Sequence, residues 1–185
     1  MSQNLRNYVQ TIYALDAVVK RAPQAGWDAQ SPCEAWTARE VLGHYMWGLQ
    51  RVTALASGTP TPGELAEAKV AGDDPQASWA RTRDGVLAAL DQPDVLAKVI
   101  DGPFGPSTID DFLQIHTMDG LLHTWDVATS FGMEAHVPPA LAEAGTAMLT
   151  AAGDAIRGPG LFAAAVDAPA DADAVTRFVA IAGRS

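Results

Sequence analysis

Residues 108–132 read TIDDFLQIHTMDGLLHTWDVATSFG, and no other stretch of the chain constrains the architecture as strongly. Thr108 and Asp111 form a capping pair at one end, and Gly132 suits the position just past the other. One long helix is expected between them. At about 100° per residue from Phe112, His116 falls at about 40°, Asp119 at about 340°, His123 at about 20° and Asp126 at about 320°. Four ionisable side chains thus share an arc of about 80°. A solvated face would need apolar residues opposite, and they do not lie cleanly there. Phe112 and Val127 sit in or beside the same arc, Ile115 and Leu122 flank one side, and Leu113, Gly120 and Phe131 flank the other. The helix carries a polar stripe inside an apolar one.

Ionisable groups taken out of water must be paired, hydrogen-bonded or bound to metal. Asp119 and His123 are four residues apart, so their side chains can converge on one point. Imidazole and carboxylate are common ligands of a zinc-type ion. The pair supplies two ligands, and a third must come from another helix. His44 is the one histidine in the first half of the chain, whereas His136 falls beyond the helix in an expected loop. Spacing alone leaves open a hydrogen-bonded core pair or a partly solvated face, and it does not choose between His116 and Asp119. The order His-Glu-x-x-His is absent.

Outward from this helix the pattern stays helical. Thr37 and Glu40 form a capping box with Trp36 in the staple position, starting a helix over about 38–56. Counted from Val41, Tyr45 falls at about 40°, Leu49 at about 80° and Val52 at about 20° on the helical wheel. His44 falls at about 300° and Gly48 at about 340° on the same wheel. His44 therefore lies at one edge of the buried arc, beside a position with no side chain. Leu5, Tyr8, Val9, Ile12, Leu15 and Val19 give a first helix over about 3–20, ended by Ala22-Pro23. Asp74-Pro75 opens a helix over about 75–90, Pro138-Pro139 one over about 140–156, and Asp173 caps a last short one. Residues 95–107, with Asp101-Gly102-Pro103, read as a small hairpin or an ordered loop. A mainly α protein built as a helical bundle in one domain is the economical solution.

Composition narrows the partners. The chain has 185 residues, 48% of them hydrophobic and 18% charged, which excludes a disordered chain. Its net charge of −10 repels phosphate backbones, so nucleic acid and anionic membranes are poor partners. The single cysteine, Cys33, permits no internal disulfide and reads as a small buried hydrophobe. No targeting segment or membrane span is expected, which makes the cytoplasm the default compartment.

Two longer motifs carry a family resemblance. Residues 31–44, SPCEAWTAREVLGH, and residues 119–128, DGLLHTWDVA, followed by Gly132, resemble the mycothiol-dependent maleylpyruvate isomerase metal-binding domains. These belong to the DinB-like superfamily of four-helix metal-binding proteins, and Arg157-Gly158-Pro159-Gly160 before an acidic stretch resembles an actinobacterial branch. The resemblance implies a DinB-like four-helix bundle with short additional C-terminal helices. It implies His44 and His123 as ligands of a divalent metal, zinc or alternatively nickel. The isomerase has glutamate four residues before its final histidine, and here that position is Asp119, one methylene shorter. His116 could assist, and Asp126 could accept a proton from a ligating imidazole and fix its tautomer. Mycothiol is the implied cosubstrate, activated for transfer to, or isomerisation of, a small electrophile. The alternative is a non-catalytic metal- or ligand-binding bundle, and a homodimer is compatible with either.

Overall fold

The structure, a computed structural model, describes residues 1–63, 66–102, 105–153, 157 and 162–185. The chain divides into two compact units, Met1–Ala135 and His136–Ser185.

The first unit contains the four long helices of a mainly α bundle. Helix α1, Gln3–Arg21, starts at Ser2, whose hydroxyl accepts from the Leu5 amide, and ends at Ala22 before Pro23. The residue before proline is driven out of helical geometry, and Ala22 has ψ 138°. Helix α2, Ala38–Ser57, opens with the expected reciprocal capping box between Thr37 and Glu40, and Gly58 closes it in the left-handed region. A five-residue helix α3, Glu67–Ala71, follows, and then α4, Pro75–Leu90, capped by the Asp74 side chain. A 3-10 turn, Val95–Ala97, leads into strand β1, Val99–Gly102, antiparallel to β2, Gly105–Thr108, with Val99 opposite Thr108. Of the hairpin anticipated over 95–107, Pro103 and Phe104 lie outside the described residues.

Helix α5, Ile109–Ser130, packs against α1 and α2, and α4 packs against the same two helices. Tyr8, Ile12, Leu15, Leu42, Tyr45, Leu49, Ile109 and Leu113 are fully buried between them. Asp16 is buried as well. It accepts from Trp79 Nε1 at 3.1 Å and pairs with Lys20 at 2.7 Å and with Arg83, tying α1 to α4. Burial alone would raise its pKa, but these donors bring it below the ordinary carboxylate value.

In the second unit, α6, Pro139–Ala152, and α7, Ala174–Ile181, pack through Gly145 and Phe178. Asp173 accepts from the Thr176 amide at 2.7 Å, as its capping position implied. Helix α6 starts where expected but ends at Ala152, closed by Gly153 at φ 53°, short of the anticipated 156; residues 154–156, Gly158, Pro159 and Gly160 lie outside the described residues. Among the described residues, no helix is long and apolar enough to cross a membrane.

Glycine sets how closely the helices approach around α5. A Cβ on Gly120 would stand 2.4 Å from Tyr45 Oη and 2.6 Å from Thr11 Cγ2. Gly120→Ala should therefore overpack the α1–α2–α5 contact and cost about 1–3 kcal/mol in urea unfolding. Gly85 of α4 is exposed with open space around it, so Gly85→Ala should instead add about 0.5–1 kcal/mol. Equal effects of the two substitutions would contradict this packing.

Candidate metal centre

Three of the side chains singled out in the sequence meet where α2 crosses α5. His44, Asp119 and His123 each offer one donor atom, and these atoms all lie within 4.8 Å of one another. Among the described residues this is the one set of His, Cys, Asp and Glu donors that converges so closely. Asp119 and His123 face each other because they are one helical turn apart, with Asp119 Oδ1 3.2 Å from His123 Nε2. His44 arrives from α2 with its ring edge-on to that of His123, centroids 5.2 Å apart. The Trp36 ring lies 4.6 Å from that of His44 and 6.2 Å from that of His123, so the residue at the staple position also walls the site.

The second imidazole nitrogen of His123 is committed elsewhere. Nδ1 lies 3.0 Å from Oδ2 of Asp126, which is fully buried. A carboxylate there fixes the tautomer with the proton on Nδ1 and turns Nε2 toward His44 and Asp119. The reach of Asp126, three positions beyond His123, is sufficient. His123 is buried, whereas Asp119 keeps 28% of its side-chain surface and His44 is half-buried, so the cluster opens on one side.

His116 is not in the converging set. Its ring fills the space left by Gly48, where a Cβ would stand 3.0 Å from Cε1 and 3.2 Å from Nδ1. The ring packs edge-on against Phe112 at 4.6 Å, and Nδ1 is buried without a hydrogen-bond partner among the described residues.

The charges respond to this arrangement in opposite directions. Burial pushes His123 down, but the Asp119 and Asp126 carboxylates overcome it and hold the pKa up at about 9. Burial would raise Asp119, yet the contact with His123 and the nearby His44 and His116 rings hold it well below the carboxylate range. Burial lowers His44, aided by His123 and opposed by Asp119. His116 is lowered to about 4, by burial first and then by Arg51 and His44 against the pull of Asp119. Without metal, His123 carries the proton and His116 is neutral at pH 7.

The donor set fits a divalent ion: two imidazoles and one carboxylate, with the ring of one imidazole oriented by a second carboxylate. Sequence reasoning had treated Tyr45 only as a core residue of its stripe. Its ring lies 6.5 Å from that of His123, and no local sequence signal could have shown this, because neighbours on a helix point about 100° apart.

Comparison with known proteins agrees with the geometry. The family described as Mycothiol maleylpyruvate isomerase N-terminal domain matches residues 10–128. Two proteins of Mycobacterium tuberculosis, from strains CDC 1551 and H37Rv and both described as uncharacterized, are 28% identical over 167 residues, covering 89% of this chain and 87% of theirs. Among solved structures, the mycothiol-dependent maleylpyruvate isomerase superposes with a TM-score of 0.59 and a histidine-to-alanine mutant of it with 0.62. Both are 16% identical and cover 80% of this chain and 68% of theirs, a likeness of fold.

The raised pKa of His123 has a testable sign. A folded value of about 9 against an ordinary 6.5 means that the pairing stabilises the metal-free protein fully below about pH 6.5 and is lost as pH rises through about 9. His116, lowered to about 4, acts on the other flank, and its contribution is lost as pH falls below its ordinary 6.5. Thermal unfolding of metal-free protein should therefore fall off on both sides of near-neutral pH. Asp126→Asn should lower the His123 titration seen by NMR and flatten the alkaline flank. A His123 that titrates near its ordinary value in the wild type would contradict the geometry.

Proposed function

Because the chain belongs to the mycothiol maleylpyruvate isomerase N-terminal domain family, we propose that it is a metal-dependent enzyme acting on a low-molecular-weight thiol and a small electrophile. The convergence of His44, Asp119 and His123 is the observation that carries this reading. These residues would hold one divalent ion, zinc or alternatively nickel, since imidazole and carboxylate suit both. The ion, when bound, would supply positive charge that favours the thiolate form of a thiol such as mycothiol, for transfer to the electrophile or its isomerisation.

The chain's own residues have distinct tasks. Asp126 orients His123 and keeps its proton on Nδ1. Trp36 shields His44 on one face, and the half-buried side of the cluster is the side from which a small thiol would enter. Three protein donors leave room for a fourth, exchangeable neighbour, the pattern of reactive rather than purely structural sites. Asp119, shorter than the glutamate of the isomerase, argues for a reaction related to that of the isomerase and distinct from it.

Zinc titration calorimetry of the untagged protein tests the centre. About one ion per chain should bind, with release of about one proton at neutral pH because His123 must give up its own. His44→Ala and His123→Ala should each weaken binding by more than about 100-fold, beyond the ~10–100-fold usual for outer-shell changes. Asp119→Ala should be intermediate and His116→Ala mildest. If His116→Ala abolishes binding and Asp119→Ala does not, the assignment is wrong. Zinc-loaded protein that consumes mycothiol with small electrophiles, and loses this activity in His123→Ala, supports the enzyme reading. Intact metal binding without turnover favours a non-catalytic bundle.

A further inference from the structure

Three buried hydroxyls lie on α1 and α2, the helices that pack against α5. Tyr8 and Thr11 lie one turn apart on α1, and Tyr45 follows His44 on α2. All three residues have 0% exposure. None of the three hydroxyls has a hydrogen-bond partner among the described residues. Two of the side chains are located by Gly120, the sequence neighbour of Asp119, whose absent Cβ would meet Tyr45 Oη at 2.4 Å and Thr11 Cγ2 at 2.6 Å. The Tyr8 phenol shares the Thr11 face of α1, since the two residues are three positions apart and both are buried.

A buried hydroxyl without a partner costs about 1–3 kcal/mol. Folded proteins contain few such groups, and three on two adjoining helices call for a resident partner. That partner must be small, and it must both donate and accept, because hydroxyls do both while an ionised carboxylate only accepts. Water meets these requirements where two to four polar groups surround it. We infer that Tyr8, Thr11 and Tyr45 enclose an internal water site behind Asp119, and that its hydrogen bonds run from the hydroxyls to the carboxylate and hold it toward His44 and His123. Gly120 is then required at its position, because a Cβ there would displace the Tyr45 hydroxyl and the Thr11 side chain. The water site stands on the hydroxyls alone, whereas its role as a support for Asp119 rests on the metal reading proposed above.

High-resolution crystals of the metal-free protein test the site. The wild type should show water density within about 3.2 Å of at least two of the three hydroxyls. Tyr45→Phe, which keeps the ring volume, should lose or displace it. A dry cluster, or hydroxyls paired directly to protein atoms, would overturn the inference. In solution, Tyr45→Phe and Thr11→Val should each weaken zinc binding by about 10-fold with helix content unchanged. Tyr13→Phe, at an exposed position of α1, is the control and should bind as the wild type does. Wild-type zinc affinity in both cluster variants would overturn the link to Asp119. If the wild type itself takes up no zinc, the metal centre falls and the water density alone decides the site.

Discussion

Desolvation of charge on α5 governs the rest of this structure. A helix that places two carboxylates and two imidazoles among apolar residues cannot leave them without compensation, because an unpaired charge in a protein interior is far more costly than any single packing contact. Here Asp119 and Asp126 take up the two nitrogens of His123, one on each side of the ring. His116 meets the same constraint differently, by staying neutral against Phe112 and Gly48. The bundle core is therefore apolar over most of its length and ionic where α2 meets α5, with a second charged cluster at Asp16 between α1 and α4.

Glycine provides the geometry that this level needs. Gly43 lets the start of α3 lie directly on α2, since a Cβ there would stand 1.9 Å from the Glu67 carbonyl oxygen. Gly48 admits the His116 ring, and Gly120 admits Tyr45 and Thr11. Each sits one to four residues from a histidine or aspartate of the cluster. Close backbone approach and converging side chains are two aspects of one packing arrangement, and a larger residue at Gly48 or Gly120 would press α5 away from its neighbours.

Much of this was legible in the sequence, for physical reasons. Capping pairs at Thr37 and Thr108 are local hydrogen-bond devices, so they can be read without tertiary context, and both helices begin there. The polar stripe on α5 follows from helical periodicity, which survives folding unchanged. His44 could be placed at the edge of its buried arc, but its meeting with Asp119 depends on how two helices cross, and the family resemblance had to select it. Helix α3 escaped notice because five residues carry too little periodicity and Ala66 makes no side-chain cap. The ion network of Asp16 with Arg83 joins residues 67 positions apart, a separation at which sequence offers no signal. The buried hydroxyls of Tyr8 and Thr11 were hidden for a related reason: Tyr8 looks like an ordinary core residue of its stripe, and Thr11 lies outside that apolar pattern.

X-ray absorption fine structure at the zinc edge of the zinc-loaded, untagged protein tests the central claim most directly, because it reports the atoms around the ion independently of any function. A shell of nitrogen and oxygen at about 2.0–2.1 Å is expected, with the multiple-scattering signature of two imidazoles that falls to one in His44→Ala. A signature of three imidazoles, or one unaltered by His44→Ala, would contradict the centre built from His44, Asp119 and His123.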